Sequence, residues 1–152
     1  MNVRNRGVVL WLVLVAIAIL TPQNAVACTC MPFPNDEAKA AAMAFAMADV
    51  IFVGVVIDVK TKRLRPLAVR DTTFEVLQAW KGPVGGDLTV VRSAVGEIAC
   101  GYEFDKPGEY LVFAYWDVEH QILTTSMCDL NRESSRAVGL ITELDKIKAG
   151  MD

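Results

Sequence analysis

Four cysteines carry the chemistry most easily read from this sequence: Cys28 and Cys30, one residue apart, and the distant Cys100 and Cys128. An even number of cysteines in an exported domain implies two disulfides, with three possible connectivities. An i,i+2 bridge between Cys28 and Cys30 would close a strained small ring, which leaves two long-range pairings open. In either one, the segment Cys28-Thr29-Cys30 is fastened to two remote parts of the chain. Each loop of such length is worth about 4–5 kcal/mol by the chain-entropy model, an upper figure. A C-x-C metal site lacks further ligands, because the chain has one histidine, His120, and no C-x-x-C pair. His120 follows Glu119, but no motif places a nucleophile near it. There is no H-E-x-x-H, no G-x-S-x-G and no Gly-rich phosphate loop. The chain therefore reads as a non-enzyme, and no cofactor is implied.

Disulfides require an oxidising compartment, and the start of the chain supplies the route. Arg4 and Arg6 precede an unbroken apolar run from Val8 to Leu20. Thr21-Pro22-Gln23-Asn24 interrupts it, and Ala25-Val26-Ala27 provides small residues before Cys28. These are the three parts of a secretory signal peptide, 1–27. The run is shorter than the roughly 20 residues that span a bilayer. Loss of Arg4 and Arg6 without any acidic residue takes the net charge from −3 to −5. An acidic domain argues against nucleic acid as partner. Localisation is read as secreted, periplasmic or extracellular. Ala25-Val26-Ala27-Cys28 also resembles a degenerate lipobox, and a membrane partner enters only if Cys28 is lipidated. That modification would consume one thiol and orphan another cysteine, and Ala25 stands where leucine is expected.

The remaining residues, 28–152, read as one domain. Pro32 and Pro34 keep the first mature residues extended. Asn35 or Asp36 caps a helix over Glu37 to Ala48. Asp49 to Lys60 is a β-branched strand in which Gly54 marks a bend or bulge. Thr61 to Arg70 shows no period and reads as a loop. Further strands cover Thr72 to Trp80, Asp87 to Arg92, Glu109 to Tyr115 and Gln121 to Met127, and Ser93 to Gly101 is an irregular connector. Val138, Ile141, Leu144 and Ile147 give Ser134 to Lys148 a helical stripe. Five strands with two flanking helices fit a small barrel of the OB type, with a sandwich as the alternative.

Several short segments resemble one known family. The opening Cys28-Thr29-Cys30-Met31-Pro32 is similar to the start of the mature tissue inhibitors of metalloproteinases, within the netrin-like family. Ala48-Asp49-Val50-Ile51, Trp80-Lys81-Gly82-Pro83, Ala99-Cys100-Gly101, Gly108-Glu109-Tyr110-Leu111 and Cys128-Asp129 follow in the same order. The resemblance covers the N-terminal inhibitory domain and implies an OB-type barrel with bridges Cys28–Cys100 and Cys30–Cys128. A third family bridge, whose first cysteine would fall near Ala46, has no counterpart, and neither does the family's C-terminal domain. The chain thus resembles a single-domain, bacterial-type relative.

The resemblance also implies a chemistry. A catalytic zinc keeps one coordination position open. A free α-amino group, with a pKa of about 7.7–8.0, is a nitrogen ligand once deprotonated. The amine and carbonyl of Cys28 would chelate the zinc of a target metalloproteinase, with Thr29 directed to the protease's specificity pocket. Cys30, Met31 and Pro32 on one side, and Glu97, Ile98 and Ala99 on the other, would form the adjoining surface. The competing reading is a non-inhibitory recognition or adhesion module on the same barrel.

Overall fold

The computed structural model describes residues 28–64, 67–82, 87–96, 99–105 and 107–151. The signal-peptide reading falls on residues outside this set, as do the expected roles of Glu97 and Ile98. The described residues are mainly β. In order they form α1 (Glu37–Met47), β1 (Val50–Leu64), β2 (Leu67–Lys81), β3 (Leu88–Ala94), β4 (Glu109–Asp117), β5 (Ile122–Thr125), β6 (Arg132–Glu133), a 3-10 turn (Ser134–Arg136) and α2 (Val138–Ala149). Asp36 is the residue that caps α1, its carboxylate accepting from Lys39 N at 2.9 Å.

Antiparallel β1, β2 and β3 follow one another, and β4 returns to lie against β1. This spatial order, 4-1-2-3, is a Greek key. β5 then fills the gap, parallel to β3 and antiparallel to β4, so that five strands close into a ring. Bending β1 and β2 around that ring needs extra residues, and the β1–β2 register shifts at three places, between Ile51 and Phe52, Val53 and Gly54, and Val56 and Asp58. Such bulges bend and twist a strand pair locally. One shift falls at Gly54, where a Cβ would stand 2.9 Å from the Glu75 carbonyl and 3.0 Å from the Phe52 ring.

Alternation along β1 and β4 buries both faces of these strands. Phe52, Val56, Tyr110 and Val112 join Phe74, Val76, Val91 and Phe104 inside the ring. Phe74 and Phe104 meet edge to face at 5.0 Å, as do Phe104 and Tyr110 at 5.2 Å. Ile51, Val53, Leu111 and Phe113 point the other way, onto Ala40, Ala41 and Ala44 of α1 and Leu140 and Leu144 of α2. The small alanine face lets α1 approach the sheet closely. Trp80 joins this outer layer and donates from Nε1 to Asp145 of α2 at 2.8 Å. Lys81 donates to the Phe45 and Ala48 carbonyls at the end of α1, at 3.1 and 2.6 Å.

The expected loop over Thr61 to Arg70 is corrected by the structure. β1 and β2 continue as a ladder from Val59–Thr72 out to Leu64–Leu67, a hairpin arm. Lys60 to Leu64 on its β1 side are all exposed, so neither face of that strand is tied to a core there and its sequence shows no alternation. At its base the buried Asp71 carboxylate accepts from Arg92 at 2.6 and 2.9 Å and from Lys62 at 2.8 Å. Ser134 to Lys148 is likewise not one helix: a 3-10 turn comes first, and α2 starts at Val138.

Candidate binding site at the disulfide-anchored tip

The first described residues carry no regular structure, so something else must fix them. Cys28 is bridged to Cys100 with Cα atoms 5.7 Å apart, and Cys30 to Cys128 at 5.1 Å. Of the two pairings left open by ring strain, this is the one the family resemblance implies. Downstream, Phe33 tucks into the outer core between two exposed prolines, Pro32 and Pro34. Between these anchors Thr29, Cys30, Met31 and Pro32 are exposed, Met31 by 61%, while Cys28 is half-buried.

Each bridge ends in a loop that is itself fixed. Gly96 takes φ +86°, and its carbonyl accepts from both Ala99 N and Gly101 N at 3.2 Å. This curls the chain so that Cys100 sits at φ +57°, a left-handed conformation uncommon for a residue with a side chain. Gly101 is packed so tightly that a Cβ would collide with the Ala94 carbonyl. The Cys100 carbonyl then accepts from Met127 N at 2.9 Å, joining this loop to the one that carries the second bridge.

That second loop is built on a buried side-chain amide, Asn131, and a half-buried carboxylate, Asp129. Asn131 is 7% exposed; its Oδ1 accepts from Phe113 N at 2.8 Å, and its Nδ2 donates to Thr125 Oγ1 at 2.7 Å and the Ser126 carbonyl at 3.2 Å. The Asp129 carboxylate accepts from Ser126 N at 2.7 Å and lies 3.0 Å from the Ser126 and Thr125 hydroxyls. Cys128 N donates to Ser126 Oγ at 3.2 Å. Nearby Tyr115 has its phenol pushed up to about 12, first by burial and then by the Asp129 charge. The bridging cysteine thus stands on a turn whose polar groups are satisfied from within the fold.

Beside the Cys28–Cys100 bridge lies a cleft of about 540 Å³, lined by Gly96, Gly101, Tyr102, Glu103 and Met127. Tyr102 N donates to Ser93 Oγ at 2.7 Å, and burial raises its phenol pKa. Glu103 faces Arg70 of the hairpin arm at 3.4 Å. Of the residues expected at the site, Cys28, Thr29, Cys30, Met31, Pro32 and the half-buried Ala99 are brought together through the two bridges. Tyr102, Glu103, Met127, Asp129 and Asn131 are additions from the structure. The sequence puts Met127 at the end of a strand, whereas that strand, β5, stops at Thr125 and Met127 N donates to the Cys100 carbonyl.

The other candidates lie apart. His120 is exposed in a turn, with Nδ1 2.8 Å from Asp117, whose other oxygen accepts from Glu119 N and His120 N. Those bonds hold the Asp117 carboxyl below its usual range. Trp80 is a core residue and Trp116 is 47% exposed. Among the described residues no group of three His, Cys, Asp or Glu side chains is placed to hold a metal ion, and no helix is long and apolar enough to cross a membrane. Comparison with protein-family models and with curated proteins finds no match to either.

Proposed function

We propose that the chain, cleaved before Cys28 and exported, is an inhibitor of zinc metalloproteinases of the tissue-inhibitor type. We read the five-stranded Greek-key ring as an OB-type barrel. The observation that carries the functional reading is the anchoring of Cys28 and Cys30 to two separate, internally bonded loops while Thr29 between them stays exposed. Once Ala27 is removed, the Cys28 amine and carbonyl form a five-membered chelate for a protease's zinc. A free chain end would lose much of its affinity to ordering. Bridges on either side of Thr29 meet that cost in advance. The ordered set of short segments shared with the family supports the same reading.

The test is to measure residual activity of a panel of zinc metalloproteinases with the mature protein and with a form carrying one extra alanine before Cys28. An amide nitrogen has a delocalised lone pair and binds zinc poorly, so the extension should abolish inhibition and leave the fold intact. Inhibition by the authentic form should weaken below about pH 7, where protons hold the amine. Equal inhibition by both forms would exclude zinc capping. Inhibition by neither would favour a recognition module, a reading that the exposed Leu77, Leu88 and Val90 on β2 and β3 would then serve.

A further inference from the structure

We propose that Met31 and Met127 form a paired modification site, at which a hydroperoxide oxidises both thioethers and switches off docking by the tip. The inference rests on the inhibitor reading above and names a regulation of that same site. Met31 directly follows Cys30 and Met127 directly precedes Cys128, so the bridge between those cysteines, with its Cα atoms 5.1 Å apart, ties both methionines to the same end of the domain. Both are open to solvent, 61% and 42% exposed. Met127 also walls the cleft, and its backbone N–H holds the Cys100 carbonyl. A flexible, polarisable thioether suits a surface that must adapt to a partner's apolar rim. All four cysteines are bridged, so the oxidisable sulfurs of the domain are its methionines.

The step is a two-electron oxygen transfer. Each thioether sulfur donates a lone pair to one peroxide oxygen, the O–O bond breaks, and an S=O bond forms. With hydrogen peroxide as oxidant, the second oxygen leaves as hydroxide and, after taking up the proton, as water. The product is a polar sulfoxide, reversible by sulfoxide reductases. A strong acceptor placed on an apolar docking surface must be desolvated there without a donor, which opposes association.

Met47 and Met151 are the internal control. They are exposed to a similar degree, 43% and 59%, but lie at the ends of the two helices. The experiment treats the mature protein with hydrogen peroxide alongside two variants, M31L/M127L and M47L/M151L. Peptide mass mapping, metalloproteinase inhibition and retention on a hydrophobic-interaction column are measured for each. Sulfoxide is expected on both Met31 and Met127. The oxidised parent should inhibit roughly tenfold more weakly, the scale of one lost methionine–aromatic contact, and leave the column earlier. Measured against its own untreated form, whatever that form's starting inhibition, M31L/M127L should lose little inhibition or retention on treatment, whereas M47L/M151L should respond as the parent does. Failure to oxidise either tip methionine overturns the proposal, as does an effect that persists in M31L/M127L. If the untreated protein inhibits nothing, the inhibitor reading fails, and the column still decides. A retention shift abolished by M31L/M127L supports the paired site, and one abolished only by M47L/M151L overturns it.

Discussion

The tip and the hairpin arm are held by opposite means. The arm is regular β-ladder out to Leu64–Leu67, yet its side chains from Lys60 to Leu64 lie in solvent. The tip residues 28–34 have no ladder at all, and are fixed by two covalent bridges and by Phe33, half-buried against the outer core. Regular hydrogen bonding and positional constraint are therefore separate properties in this molecule. Short segments that must present backbone atoms to a partner gain most from cross-links, because every main-chain group spent in a ladder is one fewer available for recognition.

The sharpest way to break this contrast is to remove a bridge. Cys30→Ser or Cys128→Ser should lower stability by about 2–5 kcal/mol, the range for loss of a native disulfide from a small exported domain. Chemical denaturation of oxidised parent and variant reads the change, and equal midpoints and slopes would show that the bridge is irrelevant to the fold.

At the base of the arm the expected loss is somewhat smaller. Asp71→Ala should cost about 3 kcal/mol, because it strands the Arg92 guanidinium, which is 18% exposed, without its carboxylate. The bonds from Arg92 hold the Asp71 carboxyl below its ordinary value. A depressed carboxylate pKa contributes stability above the unfolded value, about 3.9, and loses it as pH falls through the folded one. Acid titration of unfolding should accordingly be shallower below about pH 4 in the Asp71→Asn variant than in the parent.

The smallest effect is expected further out on the same cluster. Lys62 reaches Asp71 from a side chain 52% exposed, so Lys62→Met should change stability by no more than about 1 kcal/mol. A loss as large as that of Asp71→Ala would mean that the arm is held as firmly as the tip, and the contrast between them would disappear.

Most strands are legible in the sequence because each has at least one face committed to a core. Glu109 to Tyr115 and Thr72 to Trp80 lie within β4 and β2 for that reason. The arm is illegible by the same logic, since a strand exposed on both faces, as β1 is from Lys60 to Leu64, imposes no period on its residues. Two-residue β6 is too short for any pattern, and the 3-10 turn before α2 shares the polar composition of a helix start. At the tip, the cysteines and prolines declare themselves through chemistry that is local in sequence. Asn131 and the Met127–Cys100 bond do not, because each gains its meaning from backbone groups of distant residues.

The two helices show a further economy of distant parts. α2 has no side-chain cap on Ala137 and no acidic residue in its first turn. The Glu37 carboxylate, from the first turn of α1, occupies the place a Cβ on Gly139 would need. It sets a negative charge against the positive end of the α2 dipole. The carbonyl end of α1 is closed in turn by Lys81 of β2, and Lys148 of α2 donates to the Ala79 carbonyl of β2 at 2.7 Å. α1 supplies its own cap at its start, Asp36, but not at its end, and α2 supplies none at its start. Each is completed by a residue from another element, so neither helix can gain its full stability before the others are in place, and the domain is wired to fold and unfold as a single cooperative unit.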